Sequence, residues 1–352
     1  MLTKYGIKTT LFTIIFYLCS RRETNSMKYH LFILLLSLTI SIAVGAEEKD
    51  VLHSERMPSY EKIWDVKNQN FIARQIFFKH LNHAQIILLG LRQDNPQHHI
   101  HAANMIRQLI KPHSKPSIFL SNIARSKQNA FAIFTQQQHR RHHPQQHLAQ
   151  QHLASTTEYD ATGLDILLNL PAQSDWKIIR PVFDVAMLKK LPLKAINLSR
   201  YEIGQIHHKG LSGLPHDVKG GLTALLAGPL TEKHQTRLNE EIAKDFCGSL
   251  PPKIMEKFAL IKRVQRGIFA QELAKSSEKN TPEKAILISS PQHIMKQTGV
   301  PYYLEKNTIK DTTISVLFLE TGKEIISPKT LNIDVDFIWF TPKEARASPC
   351  GN

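Results

Sequence analysis

The side chains able to do chemistry gather in three stretches of this 352-residue sequence. The first is the turn at 89–99, Leu-Gly-Leu-Arg-Gln-Asp-Asn-Pro-Gln-His-His, which follows an apolar run. A turn of that kind at the end of a buried strand is where α/β proteins place ligands. Asp94 or Asn95 can cap a helix that begins at Pro96. His98 and His101 then share a helix face and offer two metal ligands, with a third unidentified. The competing reading makes them solvent-exposed histidines at a helix start. The second stretch is Ser289-Ser290-Pro291-Gln292-His293. His293 is placed to meet an anionic ligand or a metal at a strand end, or to hydrogen-bond neighbouring loops. The third is the glutamine- and histidine-rich segment 136–152, with His139, His142, His143, His147 and His152. Such tracts bind Zn, Cu or Ni and can grip haem iron. Low-complexity drift in a surface loop explains the same composition.

These residues need a scaffold, and the apolar runs supply it. Residues 85–90, 117–122, 193–199, 284–290, 313–320 and 336–341 read as strands buried on both faces. Runs of that kind, separated by helical patterns, predict an α/β fold with a mostly parallel β-sheet flanked by helices. After 85–90, the residues Ala102, Met105, Ile106 and Leu109 make the apolar stripe of the first such helix. From about 200 to 283 the strand signal disappears and helical patterns follow one another, predicting a smaller inserted α-helical subdomain. Pro144 argues against one continuous helix through the histidine tract.

The N-terminus carries a charged start, an apolar stretch at 31–46 and a small-residue end at Val44-Gly45-Ala46, with Glu47 and Glu48 following. That order predicts a leader over 1–46, cleaved near Ala46/Glu47 with Met27 as the true start, and export to the periplasm. The alternative is membrane anchoring by an uncleaved N-terminus. The mature domain then runs over 47–345, with a tail at 346–352. Cys247 and Cys350 are its two cysteines, and a disulfide and free thiols are both open. A formal charge of +15 points to an anionic partner or a generally cationic surface. Lysine and arginine are scattered in sequence, with no groove-reading helix, zinc finger or aromatic platform, which argues against nucleic acid.

Several blocks in order resemble the ChaN-like haem-binding uptake family, within the Tiki/TraB/erythromycin-esterase grouping. They are the turn at 89–99, Trp176 with 180–183, Ile-Asn-Leu-Ser-Arg at 196–200, and 264–274. His293 before Gly-Val-Pro-Tyr-Tyr-Leu at 299–304, and Asp-Phe-Ile-Trp-Phe-Thr-Pro at 336–342, complete the series. The resemblance implies a parallel-sheet domain with a smaller helical domain, exported and often lipid-anchored, and associated with haem or iron acquisition. It further implies haem iron held by tyrosine, with a homodimer enclosing the cofactor. Tyr159, Tyr201, Tyr302 and Tyr303 are the candidates, with Tyr302 and Tyr303 preferred for their nearness to His293. The departures matter too. Leu91 and Gln93 stand where the family carries Glu and His, Ser121 where it carries a glutamate, and Gly267 where it carries an aspartate. A metal-assisted hydrolytic site needs such groups, so the resemblance implies a degenerate one.

The sequence is thus read as an exported haem- or iron-binding protein. Its cofactor-binding residues are Asp94, Asn95, His293, Tyr302 and Tyr303; His98, His101, His139, His142 and His143 are candidate ligands for a divalent metal. Its partner is haem or another anionic small ligand, with peripheral membrane association open. The alternatives are a metal-dependent hydrolase-like enzyme with Asp94 and Asp184 converging on His293, or a non-catalytic envelope scaffold.

Overall fold

Near-continuous apolar runs dictate the centre of the molecule, because a strand buried on both faces has no room for alternating polar residues. The computed structural model describes residues 61–112, 115–142, 161, 163–168, 176–248, 250–277, 284–306, 312–322, 328–346 and 350. These fall within the unit Pro58–Asn352. The strands are β1 (Ile63–Asp65), β2 (Asn70–Ile72), β3 (Ile86–Gly90), β4 (Ser117–Ala124), β5 (Leu193–Asn197), β6 (Ala285–Ser289), β7 (Thr313–Thr321) and β8 (Phe337–Pro342). They form one sheet in the order β2-β1-β8-β7-β3-β6-β4-β5. Every pair from β8 across to β5 is parallel, while β1 is antiparallel to both β2 and β8. The central strands β3 and β6 are buried at every residue.

Helices cover both faces. On one lie α1 (Arg74–His83), α2 (Pro96–Leu109), α3 (Gln128–His142), α4 (Leu164–Leu168) and α5 (Trp176–Leu188). They pack on Ile87 and Leu89 of β3 through Phe77, Met105, Phe131 and Phe183. The other face takes α6 (Arg200–Lys209), α7 (His216–Leu226), α9 (Pro252–Ser277) and α10 (Val300–Lys306). There Ile86 and Leu88 meet Ile206, Leu222, Phe269 and Leu304. The period of two along β3 thus feeds two separate cores. Between α7 and α9 in the chain, α8 (Glu232–Asp245) packs through Leu238 and Ile242 on Ala259 of α9, a small core separate from the two on the sheet. The helices α6 to α9 all stand between β5 and β6 in the chain.

Three local devices fix this arrangement. Gly90 ends β3 because a Cβ there would lie 2.6 Å from the Ile294 side chain. Gln128 blunts the free edge of β5, donating to Leu193 O at 3.0 Å and accepting from Ala195 N–H at 2.7 Å. Cys247, just past α8, is disulfide-bonded to Cys350 in the tail, with Cα atoms 5.5 Å apart. Among the described residues no helix is long and apolar enough to cross a membrane.

Candidate functional site at the carboxyl edge of the sheet

Where β3 and β6 end side by side, their following turns part and leave a cleft of about 730 Å³. Leu91 N–H donates to Ser289 O at 2.9 Å, which locks the two strand ends together. Leu91 to Asp94 make one wall and Ser290 to Gln292 the next. The charged face of α8 closes the third side with Arg237, Glu240, Glu241, Lys244 and Asp245. Met295 and Pro291 join Leu91 as the apolar part of the lining.

Its charges are arranged in two networks. At the β3 turn, Arg92 donates to both oxygens of Asp94 at 3.1 Å. Arg346 from the tail reaches Asp94 at 2.9 Å and grips Glu320 with two hydrogen bonds of 2.6 Å. Burial pushes Glu320 upward, but hydrogen bonds from Arg346 and Asn95 outweigh it and hold its pKa at about 2. Along α8, Glu241 accepts from Arg266 at 2.6 and 2.5 Å and from Lys262 at 2.7 Å. Arg266 is 1% exposed, so the pair runs from a buried guanidinium up to Glu241 in the lining.

The residues singled out in the sequence divide sharply. Asp94 lines the cleft. Asn95 is fully buried: its carbonyl caps α2 by accepting from Gln97 and His98 N–H, and its amide donates to Glu320 and Pro342 O. His293 is buried against Phe269, 5.2 Å between rings, although Gln292 and Met295 on either side line the cleft. Its burial, then Arg266 and Lys262, hold the imidazole neutral, and Nδ1 has no hydrogen-bond partner. Tyr303 is buried and its phenol pKa is raised by that burial, the reverse of what an iron-bound tyrosinate needs. Tyr302 is half-buried, packed edge-on against His234 with Lys306 over its ring.

The expected metal pair is occupied by the fold itself. His98 is buried, as is its neighbour His99, and His101 is half-buried, so the pair is not solvent-exposed, because Ala102, Met105 and Ile106 pull the same helix side onto the sheet. His98 Nδ1 accepts from Arg92 N–H at 2.9 Å and Nε2 lies 2.7 Å from Thr341 Oγ1, so neither nitrogen remains for a metal. His101 stacks on Phe318 and Trp339. Among the described residues no three His, Cys, Asp or Glu side chains converge as a metal site. His139 and His142 fall in the last turn of α3, and His143, His147, His152 and Tyr159 lie outside the described residues. Asp184 does not join Asp94 and His293. It accepts from Ala161 N–H and pairs with Arg180 on α5, which packs on the opposite face of the sheet.

Arg237, Lys244, Glu241 and the buried Arg266 are site residues that sequence reasoning passed over. An amphipathic helix with a charged face reads as a solvated surface. The one available signal is the middle of α9, where Arg266 interrupts an otherwise apolar stripe.

A mainly parallel sheet covered on both faces, with its cleft at the carboxyl edge, defines a doubly wound α/β protein. Within that class the chain belongs to the haem-binding uptake family of the Tiki superfamily, ChaN: the family model matches residues 77–304. A solved structure of ChaN from Campylobacter jejuni, described as binding haem cofacially, is similar in fold, with 20% identity and a TM-score of 0.59. The match covers 79% of this chain and 95% of that one. An erythromycin esterase mutant in its open conformation is similar at 15% identity, over 77% of this chain and 79% of that one, with a TM-score of 0.35, too low to support an argument. No curated protein matches.

Proposed function

We propose that this chain is exported and captures haem, or a closely related iron species, for uptake, holding it at the strand-end cleft and handing it on without turnover. The observation that carries this reading is the span of the family match. Residues 77–304 take in the β3 turn, α8 and the β6 turn, which together make most of the cleft's walls. Among the five carboxylates of the lining (Asp94, Glu240, Glu241, Asp245 and Asp334), Arg92, Arg237 and Lys244 are the cations for two propionates. The propionates would have to replace the carboxylates that Arg92 and Arg237 now pair with. Leu91, Pro291 and Met295 give apolar surface. Leu91, Gln93, Ser121 and Gly267 supply no base or ligand where the family pattern carries Glu, His, Glu and Asp, which favours carriage over hydrolysis. The disulfide between Cys247 and Cys350 supports an oxidising compartment, and with it the leader reading of residues 1–46.

Haem titration of the chain from Glu47, followed by Soret absorbance, tests this reading. Saturable one-to-one binding is expected, weakened about tenfold or more in Arg237→Gln/Lys244→Gln as charge-assisted contacts are lost. Tyr201, 75% exposed at the start of α6 on the same sheet edge, is the axial ligand to test first. A Soret shift in Tyr201→Phe with unchanged affinity in the Arg237/Lys244 variant moves the haem out of the cleft, towards β5. Absence of saturable binding at micromolar haem overturns the proposal.

A further inference from the structure

The lysines that look scattered in the sequence are gathered by the strand order. In the parallel part of the sheet, every connection leading into a strand arrives at the amino edge, opposite the cleft. Adjacent in the sheet are β6, β4 and β5. Lys111 and Lys115 stand in the connection into β4, Lys189 and Lys190 in the connection into β5, and Lys194 at the second residue of β5. All five are exposed. Neighbouring strands lie about 4.8 Å apart, so the connections into β6, β4 and β5 occupy a single short row. Lys284 opens β6 in the same row and donates to the carbonyls of Leu81 and Ala84 at the end of α1. Burial, and after it the charge of Lys111, lower its pKa to about 8. The described residues of the connections into β4 and β5 carry no acidic side chain and no Phe, Tyr or Trp. Pro112, Pro116 and Pro192 stiffen them, which lowers the cost of ordering the lysines against a partner.

We propose that this amino-edge row of Lys111, Lys115, Lys189, Lys190 and Lys194 is a docking surface for an anionic phospholipid bilayer, which leaves the cleft facing away from the membrane. Lys190 also lines a groove of about 530 Å³, but it is the single charge there and the groove's one ring, Phe131, is buried. A row of point charges with no exposed ring to stack on a base fits a planar anionic surface and not a nucleic acid. The proposal does not depend on what the cleft binds.

The test is co-flotation of the chain from Glu47, which carries the whole compact unit, with phosphatidylcholine vesicles with and without phosphatidylglycerol. Binding is expected only with phosphatidylglycerol, falling as salt rises. Each lysine near the surface contributes about fivefold, so replacing all five with glutamine lowers partitioning by more than about a hundredfold. Five exposed lysines elsewhere (Lys67, Lys177, Lys233, Lys253 and Lys343) replaced the same way leave partitioning largely intact. Arginine at the five amino-edge positions preserves binding and guards against a misfolded glutamine variant. Equal loss in both glutamine sets, or no flotation with phosphatidylglycerol, overturns the proposal. So does a short DNA duplex that displaces the chain from vesicles and binds with the same lysine dependence.

Discussion

His98 shows how a residue type associated with chemistry becomes part of the frame. Arg92 N–H can only donate, so Nδ1 of His98 must carry the lone pair and Nε2–H donates to Thr341 Oγ1. That fixes a neutral tautomer, and burial holds the pKa at about 3. His99, on the next position, is held at about 4 for the same first reason. Both pKa values are depressed on folding, so the unfolded chain takes up protons first as pH falls. Stability is therefore complete above pH of about 6.5 and declines below it, by about 1.4 kcal/mol per pH unit for each such histidine. The decline continues until the folded-state values of about 3 and about 4 are reached. Thermal melts between neutral pH and pH of about 5 should show this slope, and His98→Phe should flatten it. The same variant should cost about 1–3 kcal/mol at neutral pH, because Arg92 N–H and Thr341 lose their partner. A melt unchanged by His98→Phe at neutral pH counts against the clamp.

At the scale of elements, two glycines set how closely the pieces approach. Gly90→Ala drives a methyl into Ile294 and Pro291 at the rim of the cleft and should cost about 1–3 kcal/mol in chemical denaturation. Gly267 lies where α9 crosses α7, and the one close contact of a Cβ there is the tip of Leu222, at 2.5 Å, with Leu226 at 3.7 Å. Gly267→Ala should therefore be mild. Gly267→Asp, which restores the carboxylate of the family pattern, buries an unpaired charge between two helices and should cost about 3 kcal/mol or more. Comparable losses for the two substitutions would refute this packing account. The six long strands were legible because each is a buried apolar run bounded by turn residues. The β1–β2 hairpin was not, since Ile63–Asp65 and Asn70–Ile72 are too short to show a period of two. The β3 turn and a helix cap at Asp94 or Asn95 could be read from spacing, and the structure gives the cap to Asn95. The α8 wall of the cleft could not, because its role depends on which of its faces α8 turns towards the strand ends. Burial of His293 and Tyr303 was likewise invisible, since a strand-end position does not say whether the ring lies in the cleft or beneath it.

Across the whole molecule, cleft and lysine row sit at opposite edges of one sheet, and a tail element helps fix the cleft side. Arg346 binds Asp94 and Glu320, and four positions later Cys350 joins Cys247 beyond the end of α8. Replacing both cysteines with serine should lower stability by about 4 kcal/mol in non-reducing denaturation, for a bond between residues separated by 103 positions. Reductant should bring the native chain to the same value. The bond has another consequence. It closes the chain from Cys247 to Cys350 into a covalent ring that contains α9, α10, β6, β7 and β8. One peptide cleavage anywhere on that ring opens it without releasing a fragment. Nicked protein should migrate as one species on a non-reducing gel and as two after reduction, while a cut before Cys247 separates the pieces under either condition. A protease ladder run both ways thus maps each cut to inside or outside the ring.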